Sequence, residues 1–165
     1  MKNKSLLFLL PAFLLNSCSG PSSYVLNEST FFLVMTHIQY YPEEYINKDI
    51  TFDCFTYELE SISGETYLCA VRKCSAGFGC KCGKDTIIGF IVDKDLNLPA
   101  PKNQYENTND KSWIHVTGQI ESIEKSQFSI YTADDTIEQV QFLSFRIDEF
   151  SVIEDYSNLH YYVEK

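Results

Sequence analysis

The stretch DITFDCFTYELE, residues 49–60, carries the clearest structural signal in the chain. Apolar side chains take alternate positions in its first half and then move to the intervening positions: Ile50, Phe52 and Cys54, followed by Phe55, Tyr57 and Leu59. Such alternation is typical of a β-strand with one buried face. The change of phase at Cys54–Phe55 predicts a β-bulge that bends a long strand.

Further strands are predicted on the C-terminal side of this stretch. A turn signal at Ser63–Gly64 makes the next segment the second arm of a hairpin. The predicted strands are residues 65–73, 86–93, 112–121, 127–132 and 138–153, and the intervening residues 94–111 have the composition of a long surface loop. Five or six strands with a bulge and almost no helix favour an all-β fold, a small bent barrel, over a sandwich.

The segment before the first of these strands is less clearly defined. Residues 31–41 (FFLVMTHIQYY) form an apolar run that is compatible with either a short helix or a strand. Pro42 followed by two acidic residues is typical of a helix start, so residues 42–47 are expected to form a helical turn. We therefore expect one β domain over residues 31–165 with a short N-terminal helix or helical turn.

The first residues have the features of a bacterial lipoprotein signal peptide. Lys2 and Lys4 precede the apolar run Leu6–Leu15. This run is too short to cross a bilayer as a helix, because about 20 apolar residues are needed. It ends in Leu15-Asn16-Ser17-Cys18, which resembles a lipobox, the motif whose cysteine is acylated. The alternative is an ordinary secretory signal with a coincidental cysteine.

Cleavage before Cys18 divides the N-terminal region into two parts. Residues 1–17 are then the signal peptide, and residues 18–30 are the lipidated N-terminus and a polar tether that we expect to be mobile. Two or three acyl chains, palmitate among them, anchor a protein firmly in a lipid bilayer. This interpretation places the domain on the extracytoplasmic side of the membrane in the bacterial cell envelope.

The charge balance argues against nucleic acid as a partner. The 165-residue chain carries a net charge of −10, and loss of the two lysines in residues 1–17 changes it to −12. Binding to phosphates needs a positive field, which such a domain does not offer. The sequence also contains no Ser-His-Asp pattern, phosphate loop or paired-carboxylate motif, so we expect a protein that is not an enzyme.

Five cysteines remain after Cys18, and they are close in sequence: Cys54, Cys69, Cys74, Cys80 and Cys82. Three interpretations stay open. In an oxidising compartment they would form disulfides and leave one thiol over. The second is a thiolate site for zinc or copper(I), since both ions accept cysteine ligands. The positive charges of Lys81 and Lys84 would lower the pKa of the thiols and so favour this site. Thiol redox catalysis is the least favoured, because there is no C-x-x-C pattern.

One histidine is a candidate for an additional metal ligand. His115 lies in the strand predicted at 112–121, on the face of Trp113 and opposite Ile114 and Val116. An isolated histidine on a strand is more often structural than ligating, and Trp113 is expected to be a packing anchor. No bound cofactor is otherwise indicated.

Three segments together resemble an OB-like bacterial domain of unknown function. They are PEEYINK at 42–48, CKCGKDTIIGF at 80–90 and WIHVTGQI at 113–120. That domain occurs in envelope lipoproteins and in membrane proteins associated with a permease, and the resemblance covers about residues 36–153. It implies an OB-like barrel at the cell envelope. Asn47 replaces a glycine of the family pattern, and Cys80-Lys81-Cys82 replaces an adjacent Cys-Cys pair.

These observations lead to one leading hypothesis and two alternatives. The first is a lipid-anchored, non-enzymatic binding or accessory module, whose partner is an envelope transporter or another envelope protein. The second is a metal-handling lipoprotein that delivers or buffers zinc or copper beside a transporter. The third is a surface lipoprotein that binds glycans or host proteins through exposed aromatic side chains.

Overall fold

The computed structural model describes residues 21–61, 63–74, 86–131 and 137–163. It contains seven strands, one α-helix and one 3₁₀ turn in these ranges. In chain order they are β1 (Ser23–Leu26), α1 (Phe31–Tyr40), the 3₁₀ turn (Pro42–Tyr45), β2 (Asp49–Glu60), β3 (Thr66–Cys74), β4 (Thr86–Ile91), β5 (Trp113–Tyr131), β6 (Ile137–Val152) and β7 (Tyr162–Val163).

Strand β2 closes the sheet into a barrel, because it pairs with a different neighbour in each half. Residues 50–55 pair antiparallel with β5, and residues 55–60 pair antiparallel with β3. The strand order is β1-β2-β5-β6-β4-β3-β7, with β4 and β6 parallel and β2–β3 as the closing pair. The result is a closed five-stranded barrel with two extra strands, so the predicted OB-like barrel is confirmed and the sandwich is not.

The bulge predicted at Cys54–Phe55 is wrong. The register of β2 runs without a shift along both partners. Both residues are buried because each face of the sheet is covered there: Cys54 faces the barrel interior, and Phe55 belongs to a second cluster outside it. The register shifts lie instead between β5 and β6, near Gly118 and Ser122, where they allow a long pair of strands to bend.

Strand β5 joins two segments that were predicted as separate strands, 112–121 and 127–132. It forms one continuous ribbon with β6, and the shifts between Ile120 and Ser126 absorb the irregular stretch between them. Gly118 sits where this bend brings the two backbones together, and a Cβ atom there would overlap the carbonyl oxygen of Arg146.

The run at 31–41 forms a helix. Phe31, Met35 and Ile38 recur at helical spacing and are buried against the barrel interior. Buried Gln39 donates a hydrogen bond from its side chain to the carbonyl of Gly89 at 3.2 Å, which ties the end of α1 to β4. The predicted turn after α1 is confirmed as the 3₁₀ turn.

Part of the segment predicted as a flexible tether is ordered, which corrects its extent. Residues 23–26 form β1, which pairs parallel with the start of β2. The physical reason is that Leu26 is buried in the barrel core, so the strand gains apolar burial as well as ladder hydrogen bonds. Asn47 has φ 58°, the left-handed conformation that explains a glycine at this position in the family pattern.

Candidate functional site

Two hydrophobic cores lie on opposite faces of the sheet. The inner core fills the barrel and is built by all five barrel strands together with β1, α1 and β7. The outer core covers the other face of β2 and β3; its buried members are Phe55, Leu59, Cys69, Val71, Trp113, Phe128, Phe142 and Tyr161.

The outer core occupies the face where OB folds commonly bind ligands. That face is formed by the second and third barrel strands, which are β3 and β4 here. Phe128 from the β5–β6 ribbon packs on Tyr67 of β3, with 4.5 Å between ring centroids. Tyr161, near the C-terminus, stacks on Phe55 at 5.7 Å. In the described part of the chain, therefore, this sheet face packs against the protein's own ribbon and C-terminal segment.

A buried lysine holds the C-terminal segment on the outer core. Lys111 is 3% exposed, and its ammonium lies 4.6 Å from the centre of the Tyr161 ring. It also donates to the carbonyls of Asn103 and Glu106, the latter at 2.7 Å. Burial lowers the pKa of Lys111, since its ammonium has left water. The lysine thus connects the long loop after β4 to the C-terminus.

A buried arginine joins the two cores. Arg72 is 1% exposed, and its guanidinium lies 4.9 Å from the Trp113 ring and 5.4 Å from the Phe31 ring. It pairs with Glu28 at 2.7 Å and donates to the carbonyl of His160. One side chain therefore links the segment before α1, β3 and the C-terminal segment. Its charge is matched by a carboxylate, ring faces and a carbonyl, an arrangement that stabilises the fold.

The predicted cysteine site is divided by the sheet. Cys54 and Cys74 belong to the inner core and Cys69 to the outer core. No disulfide joins any two of these three. Cys18, Cys80 and Cys82 lie outside the described residues, so the choice between disulfides and a metal site stays a prediction.

Two of the described thiols are in an environment that disfavours the thiolate. Burial raises the pKa of Cys54 well above its ordinary value and that of Cys69 to about 12. Both are therefore protonated at neutral pH. Because the thiolate is the form that binds metals and attacks disulfides, these two residues act as small apolar side chains in the described fold.

His115 lies on the exposed surface of the barrel. One of its ring nitrogens is 2.6 Å from a carboxylate oxygen of Asp53, its cross-strand partner. Cys54 follows Asp53 but faces the inner core, so the histidine and this cysteine are on opposite sides of β2. Within the described ranges no group of three metal-ligating side chains comes together.

One surface feature was not predicted from the sequence. Residues Leu33, His37, Tyr40 and Tyr41 are exposed on α1 and directly after it, and we call them the aromatic face. The signal was present as helical spacing, since Leu33, His37, Tyr40 and Tyr41 share one side of a helix. It was missed because the same run was also compatible with a strand.

A family model for the DUF1980 C-terminal domain matches residues 13–142, most of the chain. The chain belongs to this family. No curated protein and no solved structure matches this chain. The match stops within β6, so the C-terminal segment that packs on the outer core lies beyond it. Across the described residues, none of the helices has the length and apolar character that crossing a membrane requires.

Proposed function

We propose that this DUF1980 C-terminal domain protein is a lipid-anchored protein of the bacterial cell envelope that acts as a non-enzymatic binding or accessory module. The observation that carries the proposal is the position of Cys18. It ends a lipobox-like sequence directly after an apolar run, and the first strand begins five residues later at Ser23. Acyl chains on Cys18 would therefore hold a folded domain close to the membrane.

The buried charges support an accessory role rather than catalysis. Arg72 and Lys111 are the kind of buried cations that often mark an active site. Here the hydrogen bonds and ring contacts that they form are directed at the protein's own carbonyls, aromatic rings and Glu28. Both cations thus serve to hold the N- and C-terminal segments against the barrel.

The anchor is tested by labelling cells with palmitate. The wild-type protein should take up the label and enter the detergent phase in a phase partition, whereas Cys18→Ser should do neither. Cys69→Ala is the matched control, because Cys69 is buried in the outer core and should not be acylated. Label on Cys18→Ser would show that the anchor assignment is wrong.

A second candidate function, thiolate metal handling, is favoured by the β3–β4 register. Cys74 is the cross-strand partner of Thr86, so the connection at 75–85 begins and ends beside Cys74. This connection carries Cys80 and Cys82. Short covalent distances therefore allow these three sulfurs, but not Cys69 on the other face, to approach one ion.

Zinc titration of the reduced protein separates the two candidates. Metal handling predicts saturable zinc binding that Cys80→Ala abolishes and Cys69→Ala preserves. A thiol count on the oxidised protein gives the complementary result: two disulfides and one remaining thiol support a structural role for the cysteines. Absence of saturable zinc binding would exclude the zinc-handling form of this function.

A further inference from the structure

Helix α1 is apolar on both of its faces. Phe31, Met35 and Ile38 are buried against the barrel, yet the opposite side exposes Leu33 (72% exposed) and Tyr40 (61%). Residues 31–41 contain no Asp, Glu, Lys or Arg. A helix at the surface of a soluble domain normally presents a polar outer face, whereas one that is apolar all round is buried or lies in a membrane environment.

The exposed side of α1 is joined to β1 through a series of rings. Tyr24 of β1 lies 4.8 Å from the Tyr45 ring, and the Tyr45 hydroxyl is 2.8 Å from a ring nitrogen of His37. His37 in turn lies 4.8 Å from the Tyr41 ring. The aromatic face therefore adjoins β1, and its tyrosines have the apolar body and polar tip favoured at membrane–water interfaces.

The predicted anchor attaches at the same end of the domain. Cys18 is five positions before Ser23, the first residue of β1. A fully extended chain covers at most about 3.6 Å per residue, so Ser23 stays within about 18 Å of the lipidated cysteine. Because the link is so short, an anchored domain is always close to the bilayer. Even a weak affinity of its surface for lipid is then enough to hold it there.

The exposed side of α1 lacks the acidic charge that characterises the chain as a whole. The mature chain is strongly acidic, and anionic lipids repel acidic surfaces. The aromatic face carries no carboxylate; those on either side of it along the chain are Glu28, which is paired with Arg72, and the exposed Glu43 and Glu44 of the following 3₁₀ turn. These two carboxylates keep the contact at the depth of the lipid headgroups rather than in the hydrocarbon.

We propose that the aromatic face docks on the phospholipid bilayer that holds the Cys18 acyl chains. The proposal rests on the lipid anchor proposed above. It deepens that function, because it fixes the orientation of the domain: the exposed side of α1 lies on the membrane, and the rest of the barrel faces away from it. A second copy of the chain is the competing occupant of the same face.

The test places a tryptophan in the proposed contact. The acylated full chain is reconstituted into vesicles of phosphatidylethanolamine and phosphatidylglycerol in equal parts, with or without dibrominated acyl chains, which quench nearby tryptophan. Leu33→Trp reports on the aromatic face. Tyr105→Trp is the matched control, because Tyr105 is 81% exposed and lies near Tyr57, towards the far end of β2. The single native tryptophan, Trp113, is buried and gives the same background in both.

Docking predicts that Leu33→Trp loses roughly half of its additional emission in brominated vesicles, because an interfacial helix lies about 5–10 Å into the boundary between headgroups and acyl chains. Tyr105→Trp should lose almost none. Adding Tyr40→Glu and Tyr41→Glu to the reporter should reduce quenching to the control level while the protein still floats with vesicles.

Other results overturn the proposal in distinguishable ways. Flotation with equal, weak quenching of both reporters means that the anchor is present but the aromatic face does not dock. Weak quenching with a blue shift of Leu33→Trp that grows with protein density assigns the face to a second copy. If the protein does not float with the vesicles, both the lipid anchor and the docking are contradicted.

Discussion

The inner and outer cores are built on two faces of the same strands by different means. In the inner core three phenylalanines pack together: Phe52 lies 5.7 Å from Phe90 and 5.6 Å from Phe145. In the outer core the rings are interleaved with cations, and Tyr161 lies 4.6 Å from the Lys111 ammonium. The inner core is made mainly by strands that pair with each other, whereas the outer one depends on segments remote in sequence.

This difference shows how one strand can bury both of its faces. The inner face of β2 is buried by closure of the barrel alone, because alternation places its apolar side chains on that face. Its outer face needs a cover, and the C-terminal segment provides one only because Lys111 and Arg72 bind its backbone and rings. Buried cations require such partners, so the cover and the cations depend on each other.

The largest effect is expected from the inner core. Phe52→Ala should lower the free energy of unfolding by about 3–5 kcal/mol, because it removes a ring at the centre of the barrel and leaves a cavity. Urea unfolding measures this change. Tyr105→Ala, at an exposed ring, should change it by less than about 0.5 kcal/mol. Equal losses in the two variants would contradict the position of the inner core.

A smaller and local effect is expected from the outer core. Tyr161→Ala should cost about 2–4 kcal/mol, since it removes a buried ring and its contacts with Phe55 and Lys111. Hydrogen exchange should accelerate in β7 and in the outer part of the β5–β6 ribbon, while the β2–β5 pairing keeps its protection. Uniform acceleration throughout the barrel would show that the two cores unfold as one unit.

The arginine that joins the cores should contribute less than either core ring. Arg72→Met keeps much of the apolar stem and removes the bonds to Glu28 and the His160 carbonyl, so we expect a loss of about 2 kcal/mol in the free energy of unfolding. Arg146→Met is the control, because Arg146 forms an exposed pair with Asp148 worth about 0–1 kcal/mol. Similar losses in the two variants would mean that the buried contacts of Arg72 contribute no more to the free energy of unfolding than an exposed ion pair does.

The smallest effect concerns the loop that carries Lys111. Hydrogen bonds from Lys102 and Tyr156 lower the pKa of Asp110. A carboxyl group whose folded-state pKa is depressed adds stability above its unfolded pKa of about 3.9, and this stability is lost as the pH falls through the folded value. Asp110→Asn should therefore be less stable than the wild type at pH 6, and the difference should shrink towards about pH 2.

A milder variant checks the cause of this pH dependence. Tyr156→Phe removes one of the three side-chain hydrogen bonds to the Asp110 carboxylate, so it should show part of the same effect in unfolding titrations at a series of pH values. If Asp110→Asn and the wild type keep a constant difference over the acid range, the carboxylate does not stabilise this loop through its charge.

Sequence reasoning predicted the strands well where alternation was regular. The stretch at 49–60 matches β2 at both ends, and the loop after β4 was also placed correctly. It left the continuous apolar run at 31–41 undecided between helix and strand, because both give the same short pattern, and the structure decides for the helix. The strand at 23–26 was missed because residues 18–30 as a whole are rich in polar residues, and local composition does not reveal pairing with a distant strand.

The candidate site was predicted less well, for a reason that individual residues make plain. Cys69 and Cys74 are five positions apart on one strand, so alternation alone places them on opposite faces, a signal that the short spacing of the cysteines obscured. Arg72 and Lys111 would ordinarily be assigned to the surface. Their burial depends on rings contributed by residues such as Trp113 and Tyr161, which no local pattern connects to them.

The sequence by itself determined the all-β architecture, because a period of two along the chain is typical of strands with one buried face. It also carries the lipobox-like segment on which the proposed location depends. Only the tertiary structure decided what covers the second face and that α1 exposes apolar side chains beside β1. Those outcomes follow from contacts between segments far apart in the chain, whose energies depend on packing geometry rather than on local spacing.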